Sequence, residues 1–169
     1  MRATVNSTPR MNPSLHATAF ALLALLAAAT ASPARADGER RAAVPLLPKY
    51  RSECAACHVA YPPGLLPAAS WQHLMQDLPH HFGTDASLDA ATVGELSQWL
   101  AANAGTSRRG REAPPQDRIT QSAWFQREHR EVAAATWKLP AVKSPSNCAA
   151  CHTTADQGNF DEHQVRIPR

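Results

Sequence analysis

The sequence predicts an all-α fold: short helices joined by Pro-rich loops around a core that the chain cannot fill by itself. Three observations predict it. Apolar residues recur at helical spacing in three segments, and no segment alternates with period two. Fourteen prolines punctuate the chain, while Ile, Val and Phe are few. From Tyr61 to Pro67 (YPPGLLP) the chain must be loop, because Pro lacks the backbone donor. Ser70 reads as the cap of a first helix that runs to about Leu78 and stops at Pro79. Trp71, Leu74, Met75 and Leu78 form its buried stripe. A second helix starts near Leu88, or a few residues later if Thr92-x-x-Glu95 is a capping box, and ends at Asn103 to Gly105. Val93, Leu96, Trp99 and Leu100 make its apolar face. Residues 106–117, with Arg108, Arg109, Arg111 and two prolines, read as a linker whose arginines are solvated. A third helix is expected from about Ser122 to Thr136, with Phe125, His129 and Val132 on one side.

The N-terminus sets the compartment and the charge. Arg2 and Arg10 precede an apolar run from Ala17 to Ala29, and Ala34-Arg35-Ala36 follows, the layout of a secretory signal peptide cut after Ala36. The run is shorter than the roughly 20 apolar residues a membrane span needs. An exported, periplasmic protein without stable membrane insertion is expected. Cleavage removes three arginines and leaves 133 residues with 14 basic and 14 acidic side chains, so the formal charge falls from +3 to zero. A neutral chain argues against a nucleic-acid partner, which calls for a surplus of Lys and Arg on one face.

All four cysteines lie in one pentapeptide that occurs twice: Cys54-Ala55-Ala56-Cys57-His58 and, 94 residues on, Cys148-Ala149-Ala150-Cys151-His152. C-x-x-C-H is the attachment signature of c-type haem. The two thiols add to the two vinyl groups, and the following His is aimed at the iron. A Cys₄ zinc ribbon would leave both His as coincidences and span a loop of about 90 residues. A redox dithiol wants a βαβ context, and two disulfides explain neither His. The reading is a small c-type cytochrome with two haem c groups, bound through Cys54, Cys57, Cys148 and Cys151. His58 and His152 are the proximal ligands.

The sixth ligand decides what such an iron does. Downstream of Ala36 there is one Met, Met75, and there are five further His: His73, His80, His81, His129 and His163. That inventory favours His on both distal sides. Met75 and His73 read as core packing and a solvated helix residue. Of the adjacent His80 and His81 only one can point inward, and His81, beside Phe82-Gly83, is preferred. For the second haem His129, on the buried side of the third helix, is preferred, and His163, in the tail, is its rival.

Beyond the pentapeptides the sequence resembles the exported dihaem cytochrome c family often called DHC. The resemblance rests on Tyr61 to Pro67, Ser70-Trp71, His81-Phe82-Gly83 leading into Asp85 to Leu88, and Arg118-Ile119-Thr120 with Trp124-Phe125. It continues in Arg127 to Arg130, Ser144 to Asn147, and the ending Phe160 to Pro168. It implies an electron-transfer protein with two low-potential, bis-His haems. It further implies a small ligand-binding c-type haem protein as acceptor and a membrane b-type cytochrome as donor. His81, His129 and His163 all match the family pattern, so the second distal ligand stays open. The stretch from Cys54 to Ala104 is also similar to a class I cytochrome c, whose distal ligand comes from a loop just before the closing helix; His81 occupies that place.

The domain reading follows: a first haem domain over 37–105, the linker 106–117, and a second haem domain over 118–169. The expected function is electron carriage without catalysis, since two strong protein ligands leave no site for substrate. The alternatives are a peroxidase-like enzyme or a gas sensor with one open iron. The first is much longer in known families, and the second would need a signalling domain.

Overall fold

The computed structural model describes residues 44–169, so the leader and its cleavage site lie outside the described residues. Those residues belong to one compact unit. As expected, the fold is all-α. Four α-helices, Pro48–Cys54 (α1), Ala68–Gln76 (α2), Ala90–Ala102 (α3) and Ala123–Glu128 (α4), are interspersed with single 3₁₀ turns, and the described residues contain no strand. Nor do they contain a helix long and apolar enough to cross a membrane.

The apolar stripes meet as their spacing requires. α2 packs on α3, burying Trp71, Met75 and the following Leu78 against Leu96 and Leu100. Leu96 and Leu100 are fully shielded from solvent. Met75 is therefore a packing residue. Tyr50 of α1 closes the cluster, edge-on to Trp71 at 6.4 Å and tilted against Trp99 at 5.0 Å. Trp71 Nε1 donates to the Pro63 carbonyl at 2.7 Å, which ties the Pro-rich loop to the same core.

Local chemistry explains where the helix ends depart from expectation. α1 was not anticipated, because Lys49 to Glu53 carries no apolar stripe; it starts with Pro48 in its first turn, where the missing N–H costs nothing. Ser70 is not a cap. It is buried inside α2, which begins two residues earlier behind Pro67. At α3 the cap is Asp89, whose carboxylate accepts from Thr92 N at 3.0 Å and from Thr92 Oγ1 at 2.6 Å. Thr92 is thus the partner of the cap, and Glu95 instead pairs with Lys49 at 2.6 Å, joining α3 to α1. α4 does begin at Ser122, whose Oγ accepts from Phe125 N. It stops at His129, far short of Thr136, and the chain continues through turns to the 3₁₀ turn Thr136–Lys138. An Ala-rich segment with good helix propensity gives way here to tertiary packing of Trp137 beside Phe125 and His129.

Segment 105–118 is fastened along its length. Gly105 N donates to the Leu66 carbonyl at 2.7 Å. Arg109 lies over the Trp124 ring at 4.9 Å, and Arg111 pairs with Glu112, so two of the three linker arginines have local partners. His73 of α2 meets Asp117 at 3.2 Å, and Ile119 packs on the main cluster. The tightest approach is at Gly110, where an added Cβ would collide with the Gly64 carbonyl.

Two predictions follow from these contacts. Gly110→Ala sets a methyl against backbone that cannot swing aside, so it should lower unfolding stability by about 1–3 kcal/mol in a denaturant titration. Gly64→Ala, which meets nothing, should be near neutral. The second concerns Asp89, whose carboxyl is held below its ordinary pKa by the Thr92 hydroxyl and then by the Thr92 amide. A depressed native pKa contributes stability that is present above the usual carboxylate range and lost as pH falls through the native value. Unfolding curves of wild type and Asp89→Asn should therefore differ most near neutrality and converge as pH drops below that range.

Candidate functional site

Both pentapeptides lie on helical turns. Cys54 closes α1, with Cys57 and His58 in the turn that follows. In the second, Cys148–Ala150 is a 3₁₀ turn, and His152 N donates to the Cys148 carbonyl at 2.8 Å, which sets Cys148, Cys151 and His152 along one turn. No disulfide joins any of the four cysteines. Cys54 and Cys148 are each pushed up to about 11 by burial. Among the described residues no three His, Cys, Asp or Glu converge to hold a bare metal ion, so neither a zinc ribbon nor a disulfide pair is built.

The structure brings the imidazoles together in two pairs. The His58 and His81 rings face each other with centroids 6.2 Å apart and planes 23° apart. The His129 and His152 rings lie 6.1 Å apart, with planes at 72°. An imidazole nitrogen sits about 1 Å from its ring centre and metal–imidazole bonds run about 2.0–2.1 Å, so two imidazoles on one metal place their centroids about 6 Å apart. Both pairs have that spacing. The remaining His are elsewhere. His73 and His80 are exposed beside Asp117 and Asp77, and His163 is exposed with Nδ1 2.7 Å from Asp161.

Each ring is oriented by its surroundings. His58 Nδ1 lies 2.7 Å from the Val59 carbonyl, and His129 Nδ1 lies 2.9 Å from the Phe125 carbonyl. A carbonyl only accepts, so Nδ1 carries the proton in both, leaving Nε2 with a lone pair for a metal. His81 and His152 each bury an Nδ1 that has no hydrogen-bond partner among the described residues. Both are held below the ordinary imidazole pKa, chiefly by burial. His58 and then Arg118 add to this at His81, and His129 adds to it at His152. The neutral imidazole is the form a metal binds.

His81 is presented by a tight turn. Phe82 and Gly83 both have positive φ, at 51° and 94°, and Thr84 N donates back to the His81 carbonyl. A bulky residue in that region is strained, and Arg118 covers the Phe82 ring at 4.2 Å. His129 ends α4 with its ring stacked on Phe125 at 4.0 Å. Beside it a cavity of about 480 Å³ is lined by Phe125, Val132, Trp137 and Pro145. The tail clamps the second pentapeptide: Arg166 N donates to the Cys151 carbonyl at 2.8 Å, and Phe160 lies 5.4 Å from His152. A smaller cavity of about 160 Å³ beside His58 is lined by Arg51, Ala55 and Asp156. Four thiols on two turns, two imidazole pairs at metal-bridging distance, and buried nitrogens without protein partners fit two covalently held haems.

The model of the dihaem cytochrome c family, DHC, matches residues 50–160. The chain belongs to this family. It therefore carries two covalently bound haem c groups and is a haem electron-transfer protein. It is similar to the crystal structure of DHC from Rhodobacter sphaeroides, with 49% identity and a TM-score of 0.59 over 68% of this chain and 96% of that one. A second diheme cytochrome c structure from that organism gives 46% identity and a TM-score of 0.62 over 70% of this chain and all of the other. The diheme cytochrome sb-DHC of Shewanella baltica gives 38% and 0.64 over 72% and 92%. Among curated proteins none matches it.

Several residues against the rings escaped the motif reading: Tyr61 flat on His58, Trp137 beside His129, and Arg118 over Phe82. Only Tyr61 left a signal, an aromatic three positions past the haem His and locked by two following prolines. The cap of α4 gives a direct test of how local structure presents His129. Ser122→Ala removes the acceptor for Phe125 N and should cost about 1 kcal/mol in thermal or urea unfolding. Ser122→Asp should retain most of that stability.

Proposed function

We propose that this chain is a periplasmic electron carrier whose two haem irons are each held by a pair of protein imidazoles, His58 with His81 and His152 with His129. The observation that carries this reading is the matched separation of the two ring pairs. His163 supports it from the other side, since its ring is exposed and engaged with Asp161. Bound haem supplies one-electron exchange between ferric and ferrous iron. The chain supplies the rest: imidazoles on both faces exclude substrate, and two nitrogen ligands favour the ferric state relative to His/Met ligation. Nδ1–H donation from His58 and His129 raises the basicity of those rings and pushes in the same direction.

Carriage through low-potential centres suits the partners implied by the family resemblance: a membrane b-type cytochrome as donor and a small ligand-binding c-type haem protein as acceptor. The apolar run before Ala36 and the A-x-A exit support export to the periplasm, where c-type maturation takes place.

Absorption spectra test the ligand set. The unaltered protein should be low-spin in both oxidation states and indifferent to carbon monoxide. His81→Ala and His129→Ala should each turn about half of the haem high-spin and open it to carbon monoxide, while His163→Ala leaves the spectrum unchanged. Conversion by His163→Ala, with His129→Ala silent, would overturn the assignment at the second haem. Rapid carbon monoxide binding by the unaltered protein would point instead to an open iron and an enzyme or sensor.

A further inference from the structure

We propose that Tyr61 is a positioning residue that fixes the plane of the His58 imidazole and fastens it to the attachment loop of the second haem. The proposal rests on the bis-imidazole reading of the first site.

Tyr61 stacks on His58 with centroids 4.7 Å apart and planes within 19°, on a ring whose Nδ1 is already committed to the Val59 carbonyl. Its hydroxyl donates to the Ser146 carbonyl at 2.7 Å, two residues before Cys148. Its own carbonyl accepts from the buried Tyr50 hydroxyl at 2.8 Å. The next two residues are Pro62 and Pro63, whose rings lock their φ angles. The Tyr61 backbone is thus held by the main core through Tyr50, and its ring by the second haem loop through Ser146 and by the imidazole it covers. Ring planes matter because the relative orientation of two axial imidazoles sets how they split the iron π orbitals. At the first site the planes are 23° apart, and at the second, where no such stack exists on His152, they are 72° apart. Near-parallel and near-perpendicular pairs give different low-spin ferric spectra. A residue that holds one plane therefore acts on one haem alone.

Low-temperature electron paramagnetic resonance of the protein carrying both haems reads this directly. The unaltered protein should show two low-spin signals, one rhombic from the near-parallel pair and one strongly anisotropic from the near-perpendicular pair. Tyr61→Phe keeps the stack but cuts the hydroxyl anchor, so it should broaden the rhombic signal at an unchanged position. Tyr61→Leu removes the stack as well, so it should shift the rhombic g values, and in a redox titration it should move one midpoint of the two. The anisotropic signal should stay as it was in both variants. A rhombic signal unchanged in both variants, or equal changes in both signals, would overturn the proposal. Where the leucine variant does not mature, an unchanged Tyr61→Phe signal overturns it by itself. A high-spin signal in the unaltered protein would instead refute the bis-imidazole reading, and this proposal with it.

Discussion

Two half-buried imidazoles facing each other across about 6 Å are held by the protein at a cost, because polar nitrogens taken out of water need partners. His81 and His152 make this concrete, each with a buried Nδ1 that no group among the described residues satisfies. On the ligation proposed above, each pair would hold one iron, and the metal–nitrogen bonds would offset the cost of bringing the two rings together. Much of the fold can be understood as what keeps four rings in two such pairs.

The two halves meet that demand unequally. Around the first pair the chain has a conventional core: Tyr50, Leu66, Trp71, Met75, Leu78, Leu96 and Leu100 are packed into one cluster. After Asn103 the large buried residues are only Phe125 and Val142, and α4 is the single α-helix. There the pentapeptide is steadied by backbone hydrogen bonds: its amides donate to the Asn147 and Cys148 carbonyls, and Arg166 N of the tail donates to the Cys151 carbonyl. With little side-chain burial of its own, the second half relies on the porphyrin for apolar volume. It relies equally on the first half, through Tyr61 to Ser146 and Asp117 to His73.

Covalent chemistry was legible because it depends on spacing alone: two thiols and an imidazole within one turn need no tertiary information. The stripes of α2 and α3 were legible for the same reason, since Trp71, Met75, Leu96 and Leu100 repeat at the period of the helix. Caps were less so. Ser70 and Thr92 have the right side chains, yet the chain enters α2 and α3 earlier, behind Pro67 and at Asp89. α1 hid because its single buried residue, Tyr50, makes no periodicity. Which imidazole faces His152 is a tertiary matter. The apolar side shared with Phe125 and Val132 favours His129 over His163 in the sequence, but the stop of α4 and the course of the tail are what separate their positions.

The positions of the hydrogen bonds suggest how one small chain can make two haems unequal. At the first pair the Nδ1 donor is the ring of the pentapeptide, His58, and at the second it is the ring from α4, His129. The ring left without a bond is correspondingly His81 at one site and His152 at the other. A guanidinium close to His81, that of Arg118, adds positive charge at the first site, which opposes the ferric state there. Among the described residues no Lys or Arg stands in that relation to His152. With the imidazole pairs proposed for both irons, the difference between them would be left to ring plane, hydrogen-bond side and nearby charge. The chain varies all three between its two sites while holding the ring separation constant.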